Sequence, residues 1–124
     1  MYMEEGALEG VNTVIHLAGD NIAEGRWTEE KKNKILQSRT LSSQLLIQEI
    51  KKLSTPPQKI ISSSAVGIYG SYLTNDLFDS TSPLADDFLA NVCKEWEKNI
   101  LNHNIKGLKT HCIRTGVVLA NTGG

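Results

Sequence analysis

Lys59-Ile60-Ile61-Ser62-Ser63-Ser64 is the segment on which the fold turns. It is a short apolar run that closes on hydroxyls, and Ser54-Thr55-Pro56-Pro57 stands before it. Proline cannot continue a helix, so a new element starts behind that stop. The run is too short for a helix and reads as a strand over 59–63. Upstream of the prolines the apolar period changes. Ile35, Leu36, Leu46, Ile50 and Leu53 recur at helical spacing, with Leu45 and Ile47 widening the stripe. Lys31, Lys32, Lys34, Lys51 and Lys52 take the other faces, and Thr28 caps the start with Glu29 and Glu30 in the first turn, where the helix dipole favours acids. Further upstream a polar loop runs through Gly25-Arg26-Trp27. Before it, Val14-Ile15-His16-Leu17-Ala18 lies between Asn12-Thr13 and Gly19-Asp20-Asn21 and reads as a strand buried on both faces.

Downstream of the central strand a Gly/Ser/Tyr-rich loop is expected from Ser64 to about Pro83, long enough to suggest a functional role. A second helix starts near Asp86-Asp87, with Phe88, Val92, Trp96 and Ile100 four apart and Leu89, Cys93 and Leu101 beside them. It ends over Asn104 to Gly107. The segment Lys109 to Leu119 holds a third strand, stopped by Asn121-Thr122-Gly123-Gly124. The order is β-α-β-α-β. Helical crossovers join parallel strands through right-handed connections, so the fold class is α/β with a parallel sheet whose faces the helices cover. Three strands and two helices make half of a doubly wound, three-layer α/β/α sheet, with ligands at its carboxyl edge. Ala7-Leu8-Glu9-Gly10 reads as a helix end. The chain is therefore expected to be a fragment, with its first strand an open edge that invites a second copy to pair, a possible homodimer.

Composition excludes several classes. Of 124 residues, 40% are hydrophobic and 22% charged, enough apolar material for a core. Thirteen basic against fourteen acidic residues give a net charge of −1, so no basic excess exists for nucleic acid. No apolar run approaches a membrane span of roughly 18 residues, and Met1-Tyr2-Met3-Glu4-Glu5 is not a secretory signal. Cys93 and Cys112 form no CxxC and no zinc-spaced cluster, so no metal is expected. They read as reduced thiols of a cytosolic, cytoplasmic protein.

Among chemical motifs, GxGxxG, GxxGxxG, GxxxxGK[ST] and HExxH are absent from the sequence. Four residues after Tyr2, Tyr69 and Tyr72 stand Gly6, Leu73 and Asp76, so YxxxK is absent too. That spacing matters because its lysine lowers the tyrosine pKa from the same helix face. What remains clusters at strand ends. Leu17-Ala18-Gly19 lets backbone approach a ligand or makes an ordinary tight turn. Ser62-Ser63-Ser64 puts hydroxyls where a carbonyl or a sugar could meet them. Tyr69 can stack, donate its hydroxyl or simply pack, and Arg26-Trp27 can clamp an anion or a ring or pack locally. Arg114, inside a strand, must be paired, with a carboxylate or carbonyls. His16 and Trp96 read as core, and Asp86-Asp87 as a helix cap.

Read together, Val14-Ile15-His16-Leu17-Ala18-Gly19, Ile22, Arg26-Trp27-Thr28 and Ile35-Leu36-Gln37-Ser38-Arg39 resemble the epimerase-like branch of the short-chain dehydrogenase/reductase superfamily. Ser62-Ser63-Ser64-Ala65-Val66-Gly67-Ile68-Tyr69-Gly70, Asp86-Asp87-Phe88-Leu89-Ala90, Cys93, Trp96-Glu97 and Arg114-Thr115-Gly116-Val117-Val118-Leu119 extend the resemblance. The pattern is closest to the atypical "sugar nucleotide epimerase, cell-division-inhibitor-like" group. The resemblance implies a Rossmann-type fold binding NAD or NADP, with residues 1–124 as the central to C-terminal half of the domain, the Gly-rich turn upstream and the substrate region downstream. It implies Leu17, Ala18, Gly19, Ser62 and Ser63 against the dinucleotide, Ser64 and Tyr69 as catalytic groups, and Arg26, Trp27 and Arg114 toward a sugar-nucleotide substrate. The YxxxK tyrosine position falls at Phe88 or Leu89 and the lysine position at Val92 or Cys93, none of which relays a proton. The expected function is that of a fragment of an NAD(P)-dependent nucleoside-diphosphate-sugar epimerase or reductase, with little activity as an isolated chain. The alternatives are a non-catalytic dinucleotide-binding regulatory module and an interaction module that dimerises through its sheet edge.

Overall fold

The computed structural model describes residues 1–119 and Asn121. Of the stop expected over 121–124, all but Asn121 lies outside the described residues. The strands are β1 (Thr13–His16), β2 (Lys59–Ala65) and β3 (Lys109–Thr115), and the helices are α1 (Glu29–Lys52) and α2 (Phe88–Leu101). All three strands are parallel, in the order β1-β2-β3, with Val14 opposite Ile60 and Ser64 opposite Arg114. The parallel α/β reading therefore holds.

Local chemistry sets the element ends. Thr28 Oγ1 accepts from the Lys31 amide at 3.2 Å, and Asp87 Oδ1 accepts from the Ala90 amide at 2.9 Å. Each cap satisfies an amide that the first helical turn leaves free. Helix α1 stops at Leu53, before the serine-threonine-proline segment. The strand expected over 59–63 runs on to Ala65, because its ladder with β3 continues to Thr115. Val66–Tyr69 then forms one 3₁₀ turn, so irregular chain begins only after Gly70. The expected helix end at 7–10 is a pair of turns around Gly6 and Gly10, both with positive φ. They lay Met3 and Leu8 onto the core.

Side chains alternate across the sheet. Ile60, Ser62 and Ser64 face both helices and are at most 1% exposed. On the other face Ile15 is 66% and Ile113 51% exposed. The expectation that helices cover both faces is met on one face only among the described residues, and β1 is not buried on both sides. Topology supplies the reason. The chain advances in one direction across the sheet, and two right-handed crossovers in one direction place both helices on the same side. The core on that side joins Leu46, Ile47 and Ile50 of α1 to Ile60, Ile100 and Leu108. Buried Ser42 and Ser43 lie on the inner face of α1, their hydroxyls bonded back to the Arg39 carbonyl.

Candidate functional site

Parallel strands bring all their carboxyl ends to one edge, and most of the expected site residues sit there. At the end of β1, Leu17, Ala18 and Gly19 are exposed, Leu17 by 72%. Gly19 has a role that its sequence context did not reveal. A Cβ there would lie 3.0 Å from Arg39 Cζ, so the bare backbone makes room for a guanidinium. Arg39 donates to the Ile35 and Asp20 carbonyls at 3.0 and 3.2 Å and lies 5.1 Å over the Trp96 ring. Burial lowers its pKa, only partly offset by nearby negative groups. Asp20 in the same loop pairs with Lys31 at 2.7 Å, and the hydrogen bond from Lys31 holds its carboxyl below the usual range.

Ser62 is fully buried and turned under the helices. Its hydroxyl donates to the Ser63 carbonyl at 3.2 Å, and its oxygen lies 3.3 Å from His16 Nδ1. The Ser62 hydroxyl and His16 Nδ1 thus form one buried hydrogen bond. The His16 Nε2 is buried and without a partner among the described residues. Burial lowers the His16 pKa and keeps the ring neutral. Ser63 points to the open face, half-buried.

The expected catalytic pair Ser64 and Tyr69 and the expected substrate contact Arg114 meet through Glu97, to which the sequence reading gave no role. Ser64, 1% exposed, donates to Glu97 Oε1 at 2.6 Å. Arg114 holds the same carboxylate with two parallel bonds, Nε to Oε1 and Nη2 to Oε2, both 2.9 Å. This fork on a carboxylate is the strong form of the contact. Its remaining arm, Nη1, donates to the Tyr69 hydroxyl at 2.7 Å, and that hydroxyl donates to the Asp79 carbonyl at 2.7 Å. The guanidinium also lies 5.2 Å over the Tyr69 ring, which stacks on Phe78. Burial pushes the Glu97 carboxyl up, but the Arg114 and Ser64 bonds and the Arg114 charge outweigh it, so the net shift is downward. The same carboxylate holds the Arg114 pKa above its ordinary value. Of the two partners expected for a strand arginine, a carboxylate or carbonyls, Arg114 has the carboxylate. The available signal was Glu97 itself, an acid beside Trp96 and three residues before Ile100 on the apolar stripe of α2.

Tyr69 borders a hollow of about 330 Å³ with Val66, Gly70, Tyr72, Thr74 and Phe78. Gly70 is required at its rim. Its φ is +108°, and a Cβ would meet Tyr72 Cε1 at 2.4 Å. Arg26 is exposed. Trp27 donates its indole N–H to the Ile22 carbonyl at 2.9 Å and meets the Phe88 ring edge-on at 5.5 Å. It therefore bridges the starts of α1 and α2, and the structure does not join it to the Tyr69 cluster. Phe88, one of the two expected tyrosine positions, is capped by that contact.

No protein-family model matches the chain. Among curated proteins, the epimerase family protein YfhF of Bacillus subtilis is 35% identical over 127 residues, covering 98% of this chain and 42% of the relative. The chloroplastic SDR39U1 homolog of Arabidopsis thaliana is 37% identical, covering 97% and 34% respectively. The chain thus spans less than half the length of the curated relatives it matches. Among solved structures, human epimerase family protein SDR39U1 with NADPH superposes at a TM-score of 0.85 with 31% identity, covering 94% of this chain and 40% of that one. The nucleoside-diphosphate sugar epimerase of Corynebacterium glutamicum superposes at 0.76 with 34% identity, covering 96% and 25%.

Proposed function

The chain belongs to the epimerase family, and from that premise we propose that its 124 residues form the central to C-terminal half of the NAD(P)-binding domain of a nucleoside-diphosphate-sugar epimerase or reductase. The observation that carries the reading is the convergence of Ser64 and Arg114 on Glu97 at the carboxyl ends of β2 and β3, with Tyr69 joined to them through Arg114. Carboxyl ends of parallel strands are where ligands of such sheets bind.

The residues present fit a dinucleotide in part. Leu17, Ala18 and Gly19 offer exposed, partly apolar backbone at the sheet edge, and Ser63 lies on the open face of the neighbouring strand. Ser62 is closed to any ligand and serves to fix His16 below the β1 end. Leu17, Ala18, Gly19 and Ser63 would hold the cofactor, which when bound supplies or takes a hydride. The chain's own part is proton handling. Tyr69 borders the hollow, and its hydroxyl would donate to a reacting carbonyl oxygen there. Ser64 lies one layer beneath, its proton committed to Glu97. Arg26 and Trp27, outside the Tyr69 cluster, would be contacts for a sugar nucleotide.

A calorimetric titration of the chain with NADPH and with NADH tests the reading. Micromolar binding of either one supports it and ranks the two cofactors. No heat at millimolar concentration of both removes it for this chain.

A further inference from the structure

The proposed chemistry lacks the lysine that normally serves a catalytic tyrosine, and the helix positions expected for that pair carry Phe88 or Leu89 and Val92 or Cys93. The geometry points to Arg114 as the positioning residue of Tyr69, reaching it from β3. This inference rests on the function proposed above.

Three observations carry it. The Arg114 guanidinium cannot turn, because two of its nitrogens are fixed on the two oxygens of Glu97. Glu97 is itself held by Ser64, so the fork is anchored from β2 as well as α2. The third nitrogen is then aimed at the Tyr69 oxygen at 2.7 Å, an arm that the ion pair with Glu97 does not need. A lysine, as a point donor, could not span both partners. The hydroxyl keeps its own proton free to donate, and at present it goes to the carbonyl of Asp79, an exposed loop residue.

A substrate carbonyl in place of that loop carbonyl receives the same donor. In a reduction, the carbonyl carbon gains a hydride from a dihydronicotinamide and its π bond breaks. The oxygen takes the Tyr69 proton, and the phenolate left behind sits against the Arg114 cation until water reprotonates it. Atoms and charge balance, and Arg114 never touches the substrate.

The test labels the chain with 3-fluorotyrosine and follows the Tyr69 fluorine resonance, with exposed Tyr2 as the internal reference, Tyr72 as a second reporter on the same hollow and Tyr69→Phe for assignment. Arg114→Lys keeps a cation beside Glu97 and removes the fork. The paired variant Glu97→Gln with Arg114→Met removes both charges and leaves none unpaired, which protects the fold. In both, the Tyr69 resonance is expected to lose its separate position and move to that of Tyr2, while thermal unfolding stays cooperative. A Tyr69 resonance unmoved in both variants overturns the inference. NADPH binding is measured on the same samples. Its absence in the unaltered chain counts against the proposed function and leaves the fluorine result to decide the role of Arg114.

Discussion

The two ends of the helix-covered sheet face are built from opposite materials. At the amino end, Val14, Ile60 and Leu108 meet Leu46, Ile47, Ile50 and Ile100 in an apolar cluster. At the carboxyl end the same strands present His16, Ser62, Ser64 and Arg114, and the helices answer with Glu97 and Arg39. The first region needs only shape and burial. The second relies on matched polar groups, because a buried group without a partner costs more than a bond returns, and His16 Nε2 is an exception among the described residues. Stability is thus concentrated at one end of the strands and chemistry at the other.

The largest effect expected from breaking this division is at the apolar end. Ile60→Ala, at a fully buried position, should lower unfolding free energy by about 2–5 kcal/mol in urea titrations. The Tyr69 environment should survive in the fraction that remains folded. At the polar end, Glu97→Gln strands the Arg114 charge, and a loss of about 3 kcal/mol is expected. That is the low end of the range for buried pairs, since the Arg114 side chain keeps 22% exposure. Unlike Ile60→Ala, it should also disturb Tyr69 fluorescence. Gly70→Ala forces a side chain onto a positive φ and into Tyr72, with an expected cost of roughly 1–3 kcal/mol and a change at Tyr69.

Acid should sharpen the contrast. The folded His16 pKa lies below its ordinary 6.5, so the unfolded chain takes up that proton first. Stability from this group is complete above about pH 6.5 and falls as pH drops through that value toward the folded pKa. Glu97 is also depressed, and its contribution is lost lower, as pH falls below its ordinary 4.5. His16→Gln should therefore reduce the first step, to which His103, lowered by burial as well, also contributes, and leave the second, as read from urea midpoints across pH. The smallest effect is expected at Gly19→Ala, under about 1 kcal/mol by thermal melt, because the clashing atom is the far end of the Arg39 side chain.

The fold was largely legible because its signals are local. Thr28, the two prolines and the four-residue spacing from Phe88 to Ile100 each act within one element. Which sheet face the helices cover was not legible, since it depends on two crossovers advancing the same way. The same limit applies to the site. Arg114 announced its need for a partner, a carboxylate or carbonyls, but nothing local chooses Glu97, and the Tyr69 contact spans 45 residues of chain. A basic partner for Tyr69 is invisible when sought among neighbouring lysines and plain once β3 lies beside β2. Gly19 shows the converse, a glycine read as room for a ligand that also makes room for Arg39.

The most direct test of the division between the two ends is an amide chemical-shift map of the chain titrated with NADPH. The account predicts perturbations at Leu17, Ala18, Gly19 and Ser63, and none around Ile50, Leu108 and Lys109 at the amino end. Perturbations centred on that apolar end, or none anywhere at saturating cofactor, would contradict it.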